Sequence, residues 1–420
     1  MMAKVMNGAL GVITLLSIFC IGVGCVARPS PSYTPKVLTS LTSQPTAAPG
    51  STGTATPDQT PTSVLLSTPR PLLNPSVFKD ITVFYSGFQD AIWRIKADGS
   101  EKQMLFVAEE PAGEWYWLLD APRLSHDGQR LAFIQSVQQR GLMDWSSSLW
   151  VMNADGSEPK ELVGKGDLQP GSPGWSKEDL LAFLNKERPV SPIWSPDDSL
   201  IAFVDSVPYE PGRVCILDVE SGQWWKIGEG EILDWSPDGN MLAVHSASRY
   251  AATNALQILN LDGTVHSIIG LSPFNFDFLF SLDWSETTGL IAIQGGNEEQ
   301  PGTYPVFVID PHSNSKKLVL KDSYHGYPPQ WSPDGKMISF ERAVEDVKNL
   351  YILELDSGEV RLVMPNVTGG GIWSPDSRLM LVRSELEGDG LYIVSVSDGS
   401  YWKIPNVEGS TSLAWLFPPE

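Results

Sequence analysis

Cysteine, histidine and basic residues are scarce in this chain of 420 residues. It has 3 cysteines, and only Cys215 lies beyond residue 25, so the rest of the chain can form no intrachain disulfide. An apolar strand pattern surrounds Cys215, which predicts a buried structural thiol. The 5 histidines are scattered, and no cysteine–histidine cluster has the spacing of a zinc site. Lys and Arg number 29 against 50 Asp and Glu, and this acidity argues against binding to nucleic acid.

Catalytic motifs are absent from the sequence as well. It contains no G-x-S-x-G elbow, H-E-x-x-H pair, Walker loop or EF-hand calcium loop. The sequence therefore indicates no cofactor and no metal site, and it favours a protein without catalytic activity. Carboxylates from several parts of the chain could still converge in space. The alternative is thus an enzyme, a metal-assisted hydrolase or lyase, which would use such carboxylates.

Residues 1–25 are predicted to be an export signal. Lys4 precedes an uncharged run, residues 9–24, which is the layout of a secretory signal. Residues 21–25, Ile-Gly-Val-Gly-Cys, resemble a bacterial lipoprotein signal, and the resemblance implies that Cys25 is lipidated. In the alternative interpretation, residues 5–27 form an uncleaved membrane anchor. Both interpretations predict an extracytoplasmic protein that an N-terminal lipid or anchor holds at the bacterial membrane, in the periplasm or at the cell surface.

Residues 26–78 are predicted to be a disordered tether. Between residues 29 and 69, 25 of 41 residues are Ser, Thr or Pro. Such a segment cannot bury enough apolar surface to fold. We therefore expect an extended linker between the membrane and the folded part of the chain, residues 79–420.

From residue 79 onward the chain repeats itself, and the repeat predicts the fold. Each unit begins with Trp-Ser-Pro-Asp-Gly or a variant of it, and an alternating strand that ends in an Asp/Gly turn follows. The clear copies of the motif begin at Trp194, Trp235, Trp331 and Trp373. Two weaker copies are Ser125-His126-Asp127-Gly128 and Trp284-Ser285-Glu286. Asp-Gly supplies the positive φ of a tight hairpin. Four short antiparallel strands per 40–50 residues are typical of a propeller blade.

The sequence thus predicts an all-β fold, a β-propeller of seven four-stranded blades, with six or eight blades as the alternatives. The first unit starts at residue 81 and lacks an inner strand. Residues 412–416 can supply that strand, so the C-terminal strand is predicted to close the ring and remove a sheet edge. A half-copy at residues 175–183 is predicted to be an inserted hairpin or part of an eighth blade.

The motif resembles the TolB-like, WD40-like propeller repeat, which is also seen in the gating propellers of prolyl-oligopeptidase-type enzymes. In this repeat Ser and Asp cap a tight turn, Pro presets φ, Gly accepts positive φ and Trp packs between blades. The resemblance covers residues 79–420. Because TolB is a periplasmic scaffold in an envelope complex, the resemblance implies a binding scaffold. TolB-like proteins carry an α/β domain before the propeller, whereas a tether stands there in this chain.

Candidate binding residues lie in long loops on one face of the predicted ring. Tight turns join strands one to two and three to four, so the longer loops share the opposite face, and loops on a rigid scaffold often bind ligands. Their aromatic residues suit an envelope or extracellular protein or glycan. The candidates are Trp115, Trp117, Trp145, Tyr209, Tyr250, Phe274, Phe276, Tyr324 and His325. In the competing interpretation, several of these side chains plug the central channel or cover the loops.

Overall fold

The computed structural model describes most of the chain from residue 73 onward. The described residues are 73–87, 91–108, 115–139, 145–164, 189–206, 212–246, 255–271, 274, 276, 278–297, 299, 302, 304–323, 328–344, 347–407 and 413–417. They belong to one unit of the chain, residues 63–420. The predicted signal, Cys25, most of the tether and the half-copy at residues 175–183 lie outside them. In the described part, no helix combines the length and the apolar character that a membrane span requires.

The described residues form seven antiparallel sheets of four strands, and this confirms the predicted seven-bladed propeller. One turn of 3₁₀ helix, Pro75–Val77, precedes the first strand. The strands of each blade are given from the inner to the outer one. Blade one has β28 (Leu413–Leu416), β1 (Thr82–Gly87), β2 (Ala91–Lys96) and β3 (Gln103–Val107), and blade two has β4 (Trp115–Leu124), β5 (Arg130–Gln139), β6 (Trp145–Asn153) and β7 (Lys160–Val163). Blade three has β8 (Pro189–Trp194), β9 (Leu200–Asp205), β10 (Arg213–Asp218) and β11 (Trp224–Glu229), and blade four has β12 (Glu231–Trp235), β13 (Met241–His245), β14 (Ala255–Asn260) and β15 (Val265–Gly270). Blades five to seven are β16 (Phe278–Trp284), β17 (Ile291–Gly296), β18 (Val306–Ile309), β19 (Lys316–Leu320); β20 (Gln330–Trp331), β21 (Met337–Val344), β22 (Val347–Glu354), β23 (Val360–Met364); β24 (Val367–Trp373), β25 (Leu379–Ser384), β26 (Gly390–Ser395), β27 (Tyr401–Lys403).

The hydrophobic core lies between neighbouring blades. The second strands are covered on both faces, so β17 is buried at all of its positions and β9 at all but its first. Outer strands are more exposed than the second strands, as in β19, where Lys316 and Lys317 face solvent. Cys215, on the third strand of blade three, is fully buried, and this burial, with the negative charge of Asp205, raises its pKa to about 12. The prediction of a structural thiol is confirmed.

The C-terminal strand closes the ring. β28 pairs antiparallel with β1, with Val83 opposite Trp415 and Thr82 opposite Leu416. The indole N–H of Trp415 donates to the carbonyl of Trp373 in blade seven at 3.0 Å, so the same residue joins the first and last blades. This confirms the predicted closure.

The repeat motif forms the tight turn between the first and second strands of a blade. In five copies the Ser hydroxyl donates to the Asp carboxylate two residues later at 2.6 Å, and these pairs are Ser125–Asp127, Ser195–Asp197, Ser236–Asp238, Ser332–Asp334 and Ser374–Asp376. The same hydroxyl accepts the N–H that opens the second strand, as Ser236 does from Met241 at 2.9 Å. These residues act as turn caps, as the sequence predicts.

The repeat tryptophans connect one blade to the preceding one. The indole N–H of Trp194 donates to the carbonyl of Arg123 at 2.9 Å, and that of Trp235 donates to the carbonyl of Ile193 at 3.2 Å. Both indole rings are buried. A tryptophan suits this place because its ring fills the space between two sheets while its N–H satisfies a carbonyl there.

Candidate functional site

Three predicted binding residues, Trp115, Trp117 and Trp145, lie on the first and third strands of blade two. The first three strands of this blade are the longest in the described part of the chain, with 10, 10 and 9 residues. In the register, Trp115 is opposite Gln139 and Trp145 is opposite Gln138, so both flank the same end of β5. Their backbone positions therefore share the end of the blade that faces the long loops. The structure describes the backbone of these three residues and not their side chains.

Phe274 and Phe276 belong to the core, which corrects their interpretation as binding residues. Their side chains are only 5% and 4% exposed. The two rings stack on each other at 5.8 Å, and both meet the edge of Phe307, at 4.9 and 5.7 Å. Because these apolar rings fill space within the cluster that joins blades four and five, they offer no surface to a partner. Tyr209, Tyr250, Tyr324 and His325 lie outside the described residues.

A separate group of polar residues lies on the inner strands, where half-buried carboxylates connect blades. Asp234 Oδ2 accepts a hydrogen bond from the backbone N–H of Trp284 in blade five at 2.6 Å. Asp283 Oδ2 accepts one from the backbone N–H of Trp331 in blade six at 2.5 Å. Each aspartate immediately precedes a repeat tryptophan.

These carboxylates stand where the tryptophan connection is missing. The indole N–H of Trp284 donates to Gly289 of its own turn at 3.0 Å, rather than to blade four. The indole N–H of Trp331 is buried without a hydrogen-bond partner among the described residues. At both interfaces of blade five, an inner-strand carboxylate therefore accepts the hydrogen bond between blades that an indole N–H makes at other interfaces.

The repeat position that follows the motif serine carries two exceptions. Proline occupies it in four copies, at Pro196, Pro237, Pro333 and Pro375, but blade two has His126 and blade five has Glu286. His126 Nε2 lies 3.5 Å from Glu286 Oε1. Blades two and five are not neighbours, because blades three and four separate them on one side and blades six, seven and one on the other. The two side chains therefore meet across the central opening of the ring.

Asp198, in the motif turn of blade three, fixes His126 in place. Its Oδ1 accepts hydrogen bonds from the backbone N–H of His126 at 2.7 Å and from its Nδ1 at 2.8 Å, and its Oδ2 accepts one from the N–H of Asp127 at 2.8 Å. The side chain of Asp198 is 8% exposed, that of His126 42% and that of Glu286 67%. We call these three residues, Asp198, His126 and Glu286, the channel bar.

Burial and neighbouring charges shift the pKa values of the channel bar and of the two inner-strand aspartates. The contact with Glu286, together with that of Asp198, raises the pKa of His126 to about 9 against the effect of partial burial, so the imidazole is charged at neutral pH. The same contact lowers the pKa of Glu286. Burial raises the pKa of Asp283 to about 7 even though the Trp331 N–H lowers it, and burial beside Asp283 raises that of Asp234 well above its usual value.

The arrangement brings together groups that can hold or donate a proton. In the described part of the chain, no three His, Cys, Asp or Glu side chains form a group that could bind a metal ion. His126 can donate a hydrogen bond or a proton at the channel opening, whereas its charge makes it a poor base at neutral pH. The pKa of Asp283, raised by burial to about 7, lies in the range of acid–base groups in enzymes.

Sequence reasoning finds the motif copies at His126 and Glu286 but misses their role. The motif pattern indicates only weak turns there, and the deviation from proline is the available signal. Proline presets φ and carries no reactive group, so its replacement by ionisable residues in two of the copies marks positions with a different task. The contact between His126 of blade two and Glu286 of blade five follows only from the closed ring.

Substitution of Asp198 tests whether its hydrogen bonds to the turn of blade two stabilise the protein. It occupies the motif position of glycine with φ +60°, as Ser377 does with φ +61°. Ser377 reaches one neighbour, because its hydroxyl accepts the N–H of Asp334 at 3.0 Å. We expect Asp198→Gly to lower the free energy of unfolding by about 2 kcal/mol, because lost bonds to a buried carboxylate outweigh the relief of positive φ. Ser377→Gly, the matched control, should change it by less than about 1 kcal/mol, as measured by urea denaturation. Equal effects of the two changes would contradict the anchoring role of Asp198.

Comparison with known sequences shows a partial similarity. No family model matches the chain. Over 226 residues it is 26% identical to an uncharacterized peptidase, YuxL, of Bacillus subtilis strain 168; the match covers 52% of this chain and 28% of that protein. The chain therefore spans little more than a quarter of this relative.

Solved structures similar to this one include several propellers. Oligogalacturonate lyase from Vibrio parahaemolyticus matches with a TM-score of 0.50 and 11% identity, over 76% of this chain and 92% of that one. TolB from Acinetobacter baumannii matches with a TM-score of 0.45 and 14% identity, over 69% and 64%. Dipeptidyl peptidase 4 from Porphyromonas gingivalis matches with a TM-score of 0.48 and 12% identity, over 80% and 52%. At such identities the similarity concerns the fold alone.

Proposed function

We propose that this protein is an extracytoplasmic binding scaffold, tethered to the bacterial membrane, which captures an envelope or extracellular protein or glycan at the long-loop face of its propeller. The observation that carries the proposal is the extended end of blade two, where Trp115, Trp117 and Trp145 lie on strands that flank β5 in register. By this register, Trp115 and Trp117 share one face of the sheet and Trp145 belongs to the other, so this end of the blade carries tryptophan positions on both faces. Aromatic residues on a rigid sheet make effective contacts because little side-chain entropy is lost on binding.

Two further observations favour a scaffold. The ring is closed by β28 and its blades are connected by indoles and carboxylates, so the face that carries the loops is held on a rigid support. The chain has a net charge of −21, so a partner surface with basic groups would associate faster at low ionic strength than at high ionic strength.

The proposal is tested with the full chain displayed on the membrane of cells and cross-linked to its neighbours. We expect Trp115→Ala, Trp117→Ala and Trp145→Ala together to reduce capture of a partner at least about ten-fold, since a single buried tryptophan anchor is worth about 2 kcal/mol or more. Mass spectrometry identifies a captured protein, and lectin blotting or glycan arrays identify a captured glycan.

A rim tryptophan serves as the matched control. Trp225, near the start of the outer strand of blade three, is 39% exposed and lies beside the tight turn that joins the third and fourth strands, on the opposite face from the long loops. Trp225→Ala should leave capture unchanged. Undiminished capture by the triple variant, with an unaltered melting temperature, would remove blade two from the binding site.

A second candidate function is a propeller enzyme that works in the channel. Its specific support is the pair Asp234 and Asp283, together with the charged His126 nearby, because carboxyls with raised pKa values often serve as acids or bases. Elemental analysis of the purified full chain tests the metal-assisted form of this candidate. One divalent ion per chain that is lost in Asp283→Asn would favour the enzyme over the scaffold, and a metal-free protein that still captures its partner would favour the scaffold.

A further inference from the structure

The channel bar lies on the opposite face of the ring from the long loops. His126 and Glu286 both belong to the turns that join first and second strands, and every such turn lies on the tight-turn face. Asp234 and Asp283 precede these turns on the inner strands, and Glu286 acts electrostatically on both of them. The bar therefore lies at one mouth of the channel, with the two carboxylates just inside it.

The bar is fixed at one end and paired at the other. At the blade-two end, the backbone and the ring of His126 both bind Asp198, which sets the direction of the imidazole. Arg130 Nη2 donates to the carbonyl of Asp198 at 2.7 Å and ties the same turn to blade two. At the far end, Nε2 meets the carboxylate of Glu286. Solvent screens the exposed half of this pair, so its main effect is to occupy space across the opening rather than to add stability.

We propose that the channel bar closes the tight-turn mouth, so that the channel is blind and a ligand reaches the inner strands only from the long-loop face. Where proline occupies this motif position, its short and rigid ring cannot reach across the opening. The two ionisable replacements span it from blades on opposite sides of the ring. With this mouth closed, both a protein partner and a small substrate would enter the channel from the long-loop face.

The test places a reactive thiol inside the channel. Gln330 precedes Trp331 in blade six, as Asp283 precedes Trp284 in blade five, and it is partly exposed. In the full chain carrying Gln330→Cys, alkylation by a bulky maleimide is followed by mass spectrometry of the peptide that contains residue 330. The native Cys215 is buried with a raised pKa and should stay unmodified.

Glu286→Ala opens the bar while it leaves the bonds between Asp198 and His126 intact. We expect this change to increase the alkylation rate of the thiol introduced by Gln330→Cys roughly ten-fold or more. Residue 330 directly precedes the motif turn of blade six, so the opened tight-turn mouth is a much shorter route to the thiol than the path from the long-loop face. Glu359→Ala is the matched control, since Glu359 is an exposed carboxylate of an outer turn on the same face, and it should leave the rate unchanged.

Two results would overturn the proposal. One is an equal rate with and without Glu286, measured for proteins with equal melting temperatures. The other is an equal increase in the Glu359→Ala control, which would indicate a general effect of charge. If Gln330→Cys does not fold, Ile372→Cys, at the equivalent position of blade seven, provides a second reporter for the same comparison.

Discussion

Deletion of residues 412–420 is expected to abolish cooperative unfolding of the propeller. The deletion removes β28, the inner strand of blade one, and leaves the hydrogen-bonding edge of β1 open to solvent and to other chains. It also removes Trp415, which is 8% exposed, packs on Phe417 and connects to blade seven. Loss of a buried tryptophan alone costs about 3–5 kcal/mol, which is much of the 5–15 kcal/mol that stabilises a typical domain.

Differential scanning calorimetry and light scattering measure this effect. We expect the truncated protein to lose its sharp unfolding transition and to aggregate at micromolar concentration, because an unpaired β-edge recruits other chains. Deletion of residues 418–420 alone, which follow the last described residue, is the control and should preserve the transition. A cooperative transition with an unchanged Tm after the larger deletion would show that β28 does not close the ring.

Replacement of Glu341 by Gln is expected to stabilise the protein at alkaline pH and to leave it unchanged at acidic pH. Glu341 lies on the second strand of blade six, is 2% exposed and has a carboxylate oxygen without a hydrogen-bond partner among the described residues. Burial raises its pKa from 4.5 to about 7, and Lys348 offsets this only in part. A carboxylate that is desolvated without a full set of partners costs free energy, and an amide of the same size carries no charge to bury.

The sign of the pH dependence follows from the proton count. Between pH 4.5 and about 7 the folded protein holds a proton at Glu341 that the unfolded chain has released, so the stability contributed by this group declines as the pH rises through that window. Above this pH window the folded protein contains the charged carboxylate, and its burial costs the full free energy. A pKa change from 4.5 to about 7 corresponds to about 3 kcal/mol. Because the buried amide itself costs part of this, Glu341→Gln should raise the free energy of unfolding by about 2–3 kcal/mol at pH 8 and by about 0 at pH 4.5.

Urea denaturation at both pH values checks this prediction. Glu359→Gln, at an exposed turn carboxylate, is the matched control and should have no effect at either pH. A Glu341→Gln protein that is equally or less stable than the parent at pH 8 would mean that the carboxylate has an ionic partner that compensates its burial.

Much of the fold is predictable from the repeat because its residues act locally. Ser236, Asp238 and Gly239 form their turn with partners two to five residues away, so the motif determines the turn wherever it occurs. The alternating strands and their spacing then define a blade. Closure by residues 413–416 was also predictable, since blade one lacked one strand and the C-terminus had one to spare.

The channel site was beyond the reach of sequence reasoning because its contacts are distant along the chain. His126 and Asp198 are 72 residues apart, and Trp284 and Asp234 are 50 apart. Phe274 and Phe276 show the opposite problem. Their aromatic character suggested a binding surface, but the same apolar rings fill a gap between blades four and five, and only the packing distinguishes these two roles.

By itself, the sequence determined the four-stranded blade, because local hydrogen bonds and a two-residue alternation specify it. It predicted seven blades, with six or eight as the alternatives, and a closing C-terminal strand from the count of strands, and the seven closed sheets confirm both predictions. The tertiary structure alone decided which side chains meet in the channel. A ring brings every first-to-second-strand turn to a common axis, so His126 of blade two and Glu286 of blade five become neighbours although 160 residues separate them in the chain. Two residues that look like imperfect copies of a turn motif thereby lie at the same mouth of the channel and form an ion pair.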